Sequence, residues 1–253
     1  MITLEEYERL NPRTALQFGG VTVGYVTPNS FTKWRVDTLF DKEPITLEWI
    51  AGFGANDVLI DVGANVGMYT IWAAKTRGVR VFSFEPESQN YALLNRNIVL
   101  NGLENLVNAY CLAISDVAGL SQLHLSQFVA GGSCHSLGER LDFNHQPMKP
   151  AFSQGCISTP LDELVDSGAV PEPDHIKIDV DGFEPKVIAG ARRIIERGKL
   201  KSLLVEVNQN LRDHMEMVET LNTAGFKHDP LQVAAAERKS GSFKGCAEYV
   251  FKR

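Results

Sequence analysis

An apolar run that ends in an acid and a glycine-spaced turn constrains the fold of this chain more than any other feature. Residues 58–62 are β-branched or aliphatic apart from Asp61, as is typical of a buried strand. Gly63 and Gly67 follow, and because glycine has no Cβ, the backbone there can adopt positive φ or pass close to a ligand. Residues 68–74 can then begin a helix. A strand, a glycine turn and a helix N-terminus together predict a cradle for a nucleotide-like cofactor.

The spacing of this turn narrows the choice of cofactor. A dinucleotide fingerprint needs G-x-G-x-x-G, whereas the pattern here is D-x-G-x-x-x-G, without the glycine that lets a pyrophosphate approach. A P-loop needs Lys-Ser or Lys-Thr after its last glycine, and neither follows Gly67. An acid such as Asp61 at the end of the strand repels phosphate and attracts a cationic ligand. S-adenosylmethionine, with its ammonium and sulfonium groups, fits that description.

Composition excludes several classes of protein. The chain of 253 residues suits one large domain, and its net charge of -6 argues against binding to nucleic acid. The four cysteines are widely separated without a C-x-x-C pair, which fits a reducing cytoplasm rather than a zinc or redox site. No apolar run reaches the length of a membrane span, and the first residues lack the apolar region of a secretory signal. We expect a cytoplasmic protein with no nucleic-acid partner and no membrane span.

Strands alternate with helices along most of the chain. After the strand at 58–62, further strands are predicted at residues 79–85, 107–114, 175–180, 202–207 and 248–251. This alternation predicts an α/β protein with a mostly parallel sheet and helices on both faces. It stops between Asp116 and Pro160, where short alternating pieces are separated by loops rich in glycine and proline. We expect residues 116–160 to form a small insertion of strands and loops that faces the substrate.

Four acids lie where strong strands end: Asp61, Glu85, Asp179 and Glu206. Ligands bind at the carboxyl ends of the strands in open α/β sheets, so we interpret these acids as parts of one site. Glu85 follows the glycine turn by roughly twenty residues, the position of a ribose-binding carboxylate. Helix capping explains a single acid of this kind, but it is a poor explanation for four on one sheet edge.

Methyl transfer from a sulfonium makes modest demands on an enzyme, because the methyl group is already activated. The enzyme aligns the acceptor and removes its proton. Asp179 and Asp181 could supply the base, or could jointly hold a divalent cation that acidifies the acceptor. The sequence alone does not separate these roles; carboxylates without histidine would suit a hard ion such as magnesium, but we favour a site without metal.

Two further residues are candidates for contact with the acceptor. His135 lies in a glycine-containing loop of the 116–160 segment and could act as a base or ligand, although an exposed loop histidine is the more ordinary interpretation. Glu206 lies at the same sheet edge as the other acids. Near the N-terminus, Lys33, Trp34 and Arg35 could contact an anionic substrate or form a surface pair beside a packed indole.

An ordered series of motifs resembles the FkbM family of S-adenosylmethionine-dependent methyltransferases. The matching segments are Phe40–Ile50, Asp61–Thr70, Phe84–Pro86, Thr159–Leu164 and Ile176–Glu184. The resemblance implies a class I methyltransferase (Rossmann-like) fold with a seven-stranded sheet and, typically, O-methylation of a hydroxyl on a sugar, glycan or polyketide. On this basis we expect residues 1–50 to be an N-terminal extension packed on a methyltransferase domain at 51–253.

The resemblance also implies roles for individual residues. Around the methionine part of S-adenosylmethionine it places five residues of the turn and the following helix: Asp61, Gly63, Asn65, Gly67 and Tyr69. Glu85 would hold the ribose hydroxyls, and Ser115 or Asp116 would lie near the adenine. Asp179 would close the pocket beside the transferred methyl group. The family pattern usually has glutamate at the position of Asp181, so the charge here is one methylene shorter.

Other functions stay open at the level of sequence. Nitrogen or carbon methylation would use the same scaffold, because fold and cofactor do not determine the acceptor. An NAD-dependent oxidoreductase would use the same ribose-binding acid, but the chain lacks G-x-G at the turn and a Tyr-x-x-x-Lys pair. A non-catalytic module would have no need to keep Asp61, Glu85 and Asp179. We expect a small-molecule or carbohydrate acceptor, and leave the oligomeric state open.

Overall fold

The computed structural model describes all 253 residues and contains twelve strands and eleven helices. The strands are β1 (Arg13–Phe18), β2 (Val21–Val26), β3 (Val58–Val62), β4 (Arg80–Phe84), β5 (Val107–Tyr110), β6 (Ala113–Ile114), β7 (Gly119–Leu125), β8 (Ser136–Leu137), β9 (Phe152–Thr159), β10 (His175–Ile178), β11 (Ser202–Asn208) and β12 (Cys246–Lys252). The helices are α1 (Leu4–Arg9), α2 (Ser30–Asp37), α3 (Leu39–Lys42), α4 (Pro44–Ala51), α5 (Met68–Arg77), α6 (Ser88–Asn101), α7 (Leu161–Asp166), α8 (Glu184–Gly190), α9 (Arg192–Glu196), α10 (Arg212–Thr223) and α11 (Pro230–Ala236). None of the helices has the length and apolar composition needed to cross a membrane.

A six-stranded sheet in the order β12-β11-β10-β3-β4-β5 forms the centre of the fold. Neighbouring strands are parallel, except that β12 runs antiparallel to β11. One apolar core on the sheet contains side chains of α7 to α10, and a second contains side chains of α4 to α6. The predicted α/β architecture with a mostly parallel sheet is therefore confirmed.

The sheet has six strands rather than the predicted seven. Beyond β12, Lys227 and Lys252 form one isolated antiparallel bridge, with two backbone hydrogen bonds of 2.8 Å. The chain then leaves the sheet at once, because Asp229 caps α11 by accepting a hydrogen bond from the amide of Leu231, and Pro230 occupies its first turn. The chain therefore makes only this one bridge at the edge of the sheet and does not form a seventh strand.

The predicted strand at 107–114 is two strands in two different sheets. β5 ends at Tyr110, and β6 resumes at Ala113 as part of a second sheet in the order β6-β9-β7-β8. The predicted insertion supplies three of the four strands of this small sheet, β7, β8 and β9. The amide of Ser115, which precedes the insertion, donates a backbone hydrogen bond to the carbonyl of Thr159. The insertion thus lies at the carboxyl end of the central sheet, where β5 ends.

The N-terminal residues pack closely on the central sheet's helices. The edge of β2 is satisfied by two buried asparagines of α6: Gly24 N–H donates to Asn101 Oδ1, and Val26 N–H donates to Asn97 Oδ1. The hydroxyl of Tyr25 donates to the carbonyl of Met68 at the start of α5. This packing holds α2 and α3 beside the turn that follows β3. The division into an extension and a domain at residue 50 stays a prediction.

Candidate active site

The turn after β3 lies close to neighbouring elements. Gly63, Asn65 and Gly67 have positive φ angles of 79°, 51° and 84°. A Cβ on Gly63 would lie 1.9 Å from the carbonyl oxygen of Asp179, and one on Gly67 would lie 2.4 Å from Cδ1 of Leu94. Both positions therefore require glycine for two reasons: the positive φ angle, and the neighbouring atoms, which leave no space for a Cβ.

A cleft opens between this turn and the small sheet, at the carboxyl edge of the central sheet. It encloses about 710 Å³ of empty space, with the space open to solvent included. Its walls contain seven of the residues singled out from the sequence: Gly63, Asn65, Glu85, Ser115, His135, Asp179 and Asp181. The structure thus brings together residues from separate parts of the chain.

Five other candidates lie outside the wall of this cleft. Tyr69 lines a smaller adjoining pocket, which shares Gly63, Asn65 and Asp179 with the cleft. Asp61 and Gly67 are buried beneath the turn, where Asp61 accepts a 2.6 Å hydrogen bond from Thr70. Asp116 is exposed and accepts a hydrogen bond from its neighbour Ser115, and Glu206 is bound by an arginine described below. Asp61 and Gly67 therefore support the turn from behind.

Glu85 is a buried carboxylate at the end of β4. Its Oε2 accepts a 2.7 Å hydrogen bond from the amide of Asn65, and its Oε1 accepts a 2.8 Å bond from the amide of Glu87. Burial raises the pKa of Glu85 to about 7, although both amides oppose that effect. Each carboxylate oxygen keeps a further lone pair, so the group can still accept hydrogen bonds from a pair of hydroxyls.

A buried lysine of β10 lies close to Asp61 near the end of β3 and to Asp179 directly after β10. Nζ of Lys177 lies 3.1 Å from Oδ2 of Asp179, 4.0 Å from Oδ1 of Asp61 and 5.3 Å from the centre of the Tyr69 ring. Burial alone would raise the pKa of Asp179, but the charges of Lys177 and Lys42 outweigh it and lower that pKa to about 2. Asp179 is therefore a permanently charged group at neutral pH.

Lys177 lies within the Ile176–Glu184 motif but is given no role there, although the sequence contains a signal for one. Lysine stands in the apolar strand β10, two residues before Asp179 and therefore on the same face of the strand. A charged side chain in a central strand is almost never buried without a partner. Such a lysine thus predicts a carboxylate next to it inside the fold.

Asp181 connects the end of β10 to the loop of the small sheet. Its backbone is left-handed, with φ of 56°, and its Oδ2 accepts a 2.7 Å hydrogen bond from the amide of Cys134. Burial and the charge of Asp179 raise the pKa of Asp181 to about 6, against the opposing effects of the Cys134 amide and Arg35. The carboxyl group is ionised at neutral pH, yet it is a much better proton acceptor than Asp179.

His135 lines the cleft, as Ser115 does, whereas Glu206 does not. Its Nδ1 accepts a 3.3 Å hydrogen bond from the amide of Ser126, whereas its buried Nε2 has no partner in the protein. Burial and the charge of Arg35 lower the pKa of His135 to about 4, so the imidazole is neutral. His135 therefore offers one unsatisfied polar atom to a ligand in the cleft.

Arg238 and Glu43, which are 195 residues apart, meet at the far side of the site. Arg238 donates to Glu206 at 2.6 Å and to Glu248 at 2.9 Å, and lies 3.4 Å from Glu43. The hydroxyl of Tyr69 donates a 2.6 Å hydrogen bond to Glu43. Neither Arg238 nor Glu43 could be assigned a role from the sequence, because no local pattern indicates contacts between such distant positions.

The carboxylates of Asp179, Asp181 and Glu206 present oxygen atoms within 4.8 Å of one another. Such an arrangement can hold a divalent cation. Two of these carboxylates already pair with cations of the protein, since Lys177 contacts Asp179 and Arg238 contacts Glu206. The local excess of negative charge is therefore smaller than the acids alone suggest.

The fold and this acid-lined cleft together define a class I methyltransferase. The fold is similar to that of the crystal structure of methyltransferase FkbM from Methylobacillus flagellatus, with a TM-score of 0.52 and 14% sequence identity. The similarity covers 79% of this chain and 44% of the other, which is much longer. More particularly, residues 61–228 match the methyltransferase FkbM domain, and the chain belongs to that family. The methyltransferase interpretation and the family resemblance are thus confirmed.

The chain is also similar to two methyltransferases whose names state their acceptors. The chain is 25% identical over 192 residues to the hexuronic acid methyltransferase AglP of Haloferax volcanii, a match that covers 76% of this chain and 72% of the relative. It is 25% identical over 200 residues to the 31-O-demethyl-FK506 methyltransferase FkbM of Streptomyces tacrolimicus, over 69% of this chain and 76% of the relative. Both relatives are methyltransferases named for small-molecule or sugar acceptors.

Proposed function

We propose that this protein is an S-adenosylmethionine-dependent O-methyltransferase that acts on a hydroxyl of a sugar or a related small molecule. The observation that carries the proposal is the pairing, across one cleft, of the buried carboxylate of Glu85 with the carboxylates of Asp179 and Asp181. The names of the two relatives, one a hexuronic acid methyltransferase and one an O-demethyl-FK506 methyltransferase, support the choice of acceptor.

The residues of the cleft fit S-adenosylmethionine by their chemistry. Glu85 would hold the ribose hydroxyls, and the apolar side chains of Phe84, Ile114 and Leu123 offer a site for the adenine ring. The buried Nε2 of His135, which lacks a protein partner, can bond to the adenosine part. We therefore assign His135 to the donor rather than to the acceptor. When bound, the cofactor supplies an activated methyl group on a sulfonium.

Asp179 and Asp181 would then have different roles in the transfer. Asp179, kept charged by Lys177, stabilises positive charge in the cleft but is too weak a base to take a proton. Asp181 has a pKa closer to neutrality and a free oxygen, Oδ1. Asp181 would take the proton of the acceptor hydroxyl as that oxygen gains the methyl group.

We propose that the reaction needs no metal, because Lys177 and Arg238 already neutralise two of the three carboxylates that could hold one. Dialysis against EDTA should leave the rate of methyl transfer unchanged, and added Mg²⁺ should not raise it. Loss of the activity with EDTA, and its recovery with Mg²⁺, would instead assign a cation to Asp179, Asp181 and Glu206.

The acceptor atom can be tested by transfer of a ¹³C-labelled methyl group. The protein is incubated with methyl-labelled S-adenosylmethionine and a set of neutral and acidic sugar glycosides, and the products are analysed by NMR and mass spectrometry. We expect label only in methoxy groups. Label in N-methyl or C-methyl groups would contradict O-methylation, while still supporting methyl transfer.

The cytoplasmic location also remains a prediction.

A further inference from the structure

The cleft continues past Asp179 into a smaller pocket formed by α2, α3 and the turn after β3. Its charged lining residues are three basic and two acidic side chains: Arg35, Lys42, Lys177, Glu43 and Asp179. Lys42 pairs with Glu43 at 2.5 Å, and Lys177 pairs with Asp179 at 3.1 Å. These two pairs leave one positive charge without a counterion, that of Arg35.

The guanidinium of Arg35 is held in place but is not neutralised. Its Nε donates a 2.8 Å hydrogen bond to the carbonyl oxygen of Gly131, and it forms no ion pair with any acid of the chain. The two terminal nitrogens, Nη1 and Nη2, have no protein partner. A fixed, planar fork with free N–H groups matches the geometry of a carboxylate, which it can bind through two parallel hydrogen bonds.

Arg35 also lines a surface pocket that contains no acidic residue. This pocket adds to Arg35 the residues Ser30, Phe31, Trp34, Gln127, Gly131 and Ser133. Trp34 and Phe31 are 49% and 44% exposed, so two aromatic rings stand at its surface. Arg35 therefore lines both the smaller pocket beside Asp179 and a surface pocket with two exposed aromatic rings.

The two sides of Asp179 differ in charge. The larger cleft contains Glu85, Asp179 and Asp181, and its one lysine, Lys186, pairs with Glu139 at 2.5 Å. That side suits a sulfonium. The smaller pocket carries the unpaired charge of Arg35 and suits an anion.

From this arrangement we infer that Arg35 is the binding site for a carboxylate group of one of the two reactants. The inference rests on the proposed function and deepens it. The carboxylate belongs either to the methionine part of the donor or to an acidic sugar acceptor, since the small pocket adjoins the donor cleft on one side and the surface pocket on the other. In both cases the carboxylate of the ligand would neutralise the positive charge of Arg35.

Isothermal titration calorimetry of the wild type and of Arg35→Gln can test the site. The first pair of ligands is S-adenosylhomocysteine and its decarboxylated analogue. The second pair is methyl glucuronide and methyl glucoside, each titrated in the presence of saturating S-adenosylhomocysteine. Lys33→Gln is the matched control, because Lys33 lies on the same helix but is exposed and pairs with Asp37. Thermal melting verifies that each variant is folded, and Arg35→Lys keeps the charge without the fork.

We expect Arg35→Gln to weaken binding of one carboxylate ligand by about tenfold or more, with its counterpart that lacks the carboxylate unaffected and Arg35→Lys intermediate. Weaker binding of S-adenosylhomocysteine by the variant would mean that Arg35 binds the donor. Weaker binding of methyl glucuronide would mean that Arg35 binds the acceptor. Equal affinities of wild type and Arg35→Gln for both carboxylates would overturn the inference. Failure of the wild type to bind S-adenosylhomocysteine would contradict the proposed function itself, a result distinct from the others.

Discussion

At the scale of single residues, two acids that lie close together in the sequence have very different side-chain pKa values. Asp179 and Asp181 are two residues apart, yet the pKa of the first is lowered to about 2 and that of the second is raised to about 6. The difference arises because Lys177 contacts Asp179, whereas the half-buried Asp181 lies near the charge of Asp179. Adjacent carboxylates can therefore perform different tasks.

Replacement of Asp181 by asparagine should reduce the rate of methyl transfer by about 100-fold or more, because the amide cannot take the proton. In the wild type the rate should rise with pH through about 6, as Asp181 loses its proton. Rates measured from pH 5 to 8 check both points. Asp181→Glu, which keeps a carboxylate, should retain this pH dependence. An unchanged rate and pH profile in Asp181→Asn would assign the base elsewhere.

Glu85 should make the free protein less stable at alkaline pH. Its pKa is raised in the folded state to about 7, from an ordinary value of 4.5, so its favourable contribution is complete below about 4.5 and is lost as the pH rises through about 7. Glu85→Gln should not show this decrease in stability, because glutamine does not ionise. The difference in free energy of unfolding between wild type and Glu85→Gln, measured in urea, should therefore change by on the order of 2 kcal/mol between pH 5 and 8. A difference that is constant with pH would contradict the assignment.

At the scale of elements, the pattern of apolar residues predicted most of the central sheet. β3, β4, β10 and β11 lie where the sequence placed them, and α6 ends at Asn101, followed by Gly102 in a left-handed conformation at its C-cap. The prediction of one strand at 107–114 was wrong, because Cys111 and Leu112 carry the chain from one sheet to another without any glycine or proline to mark the change. The seven-strand count came from the family resemblance and not from a local signal.

The turn after β3 can be tested with two glycine substitutions. Gly63→Ala places a Cβ 1.9 Å from the carbonyl oxygen of Asp179, whereas a Cβ at Gly102, also at positive φ, meets nothing within 4 Å. We expect Gly102→Ala to cost about 1 kcal/mol of stability from backbone strain alone, and Gly63→Ala to cost about 3 kcal/mol or more, with loss of donor binding. Urea unfolding of both variants decides the point. Equal losses of stability would mean that the turn is not packed against the end of β10 as described.

At the scale of the whole molecule, the site combines predictable and unpredictable parts. The acids at the strand ends could be predicted, because parallel strands bring their carboxyl ends to one edge. The cations that set the protonation of these acids come from distant places: Lys42 from α3, and Arg238 from the loop before β12. Their positions depend on how the N-terminal helices and the last loop fold over the sheet, and no local periodicity specifies that packing.

The central claim, that this cleft binds S-adenosylmethionine and its product, is tested most directly by calorimetric titration with S-adenosylhomocysteine and, separately, with NAD. We predict one binding site for S-adenosylhomocysteine, weakened about tenfold or more in Glu85→Gln, which loses the charged acceptor for the ribose hydroxyls. We predict no binding of NAD, because the turn lacks the glycine that a pyrophosphate requires. Binding of NAD without binding of S-adenosylhomocysteine would contradict the claim.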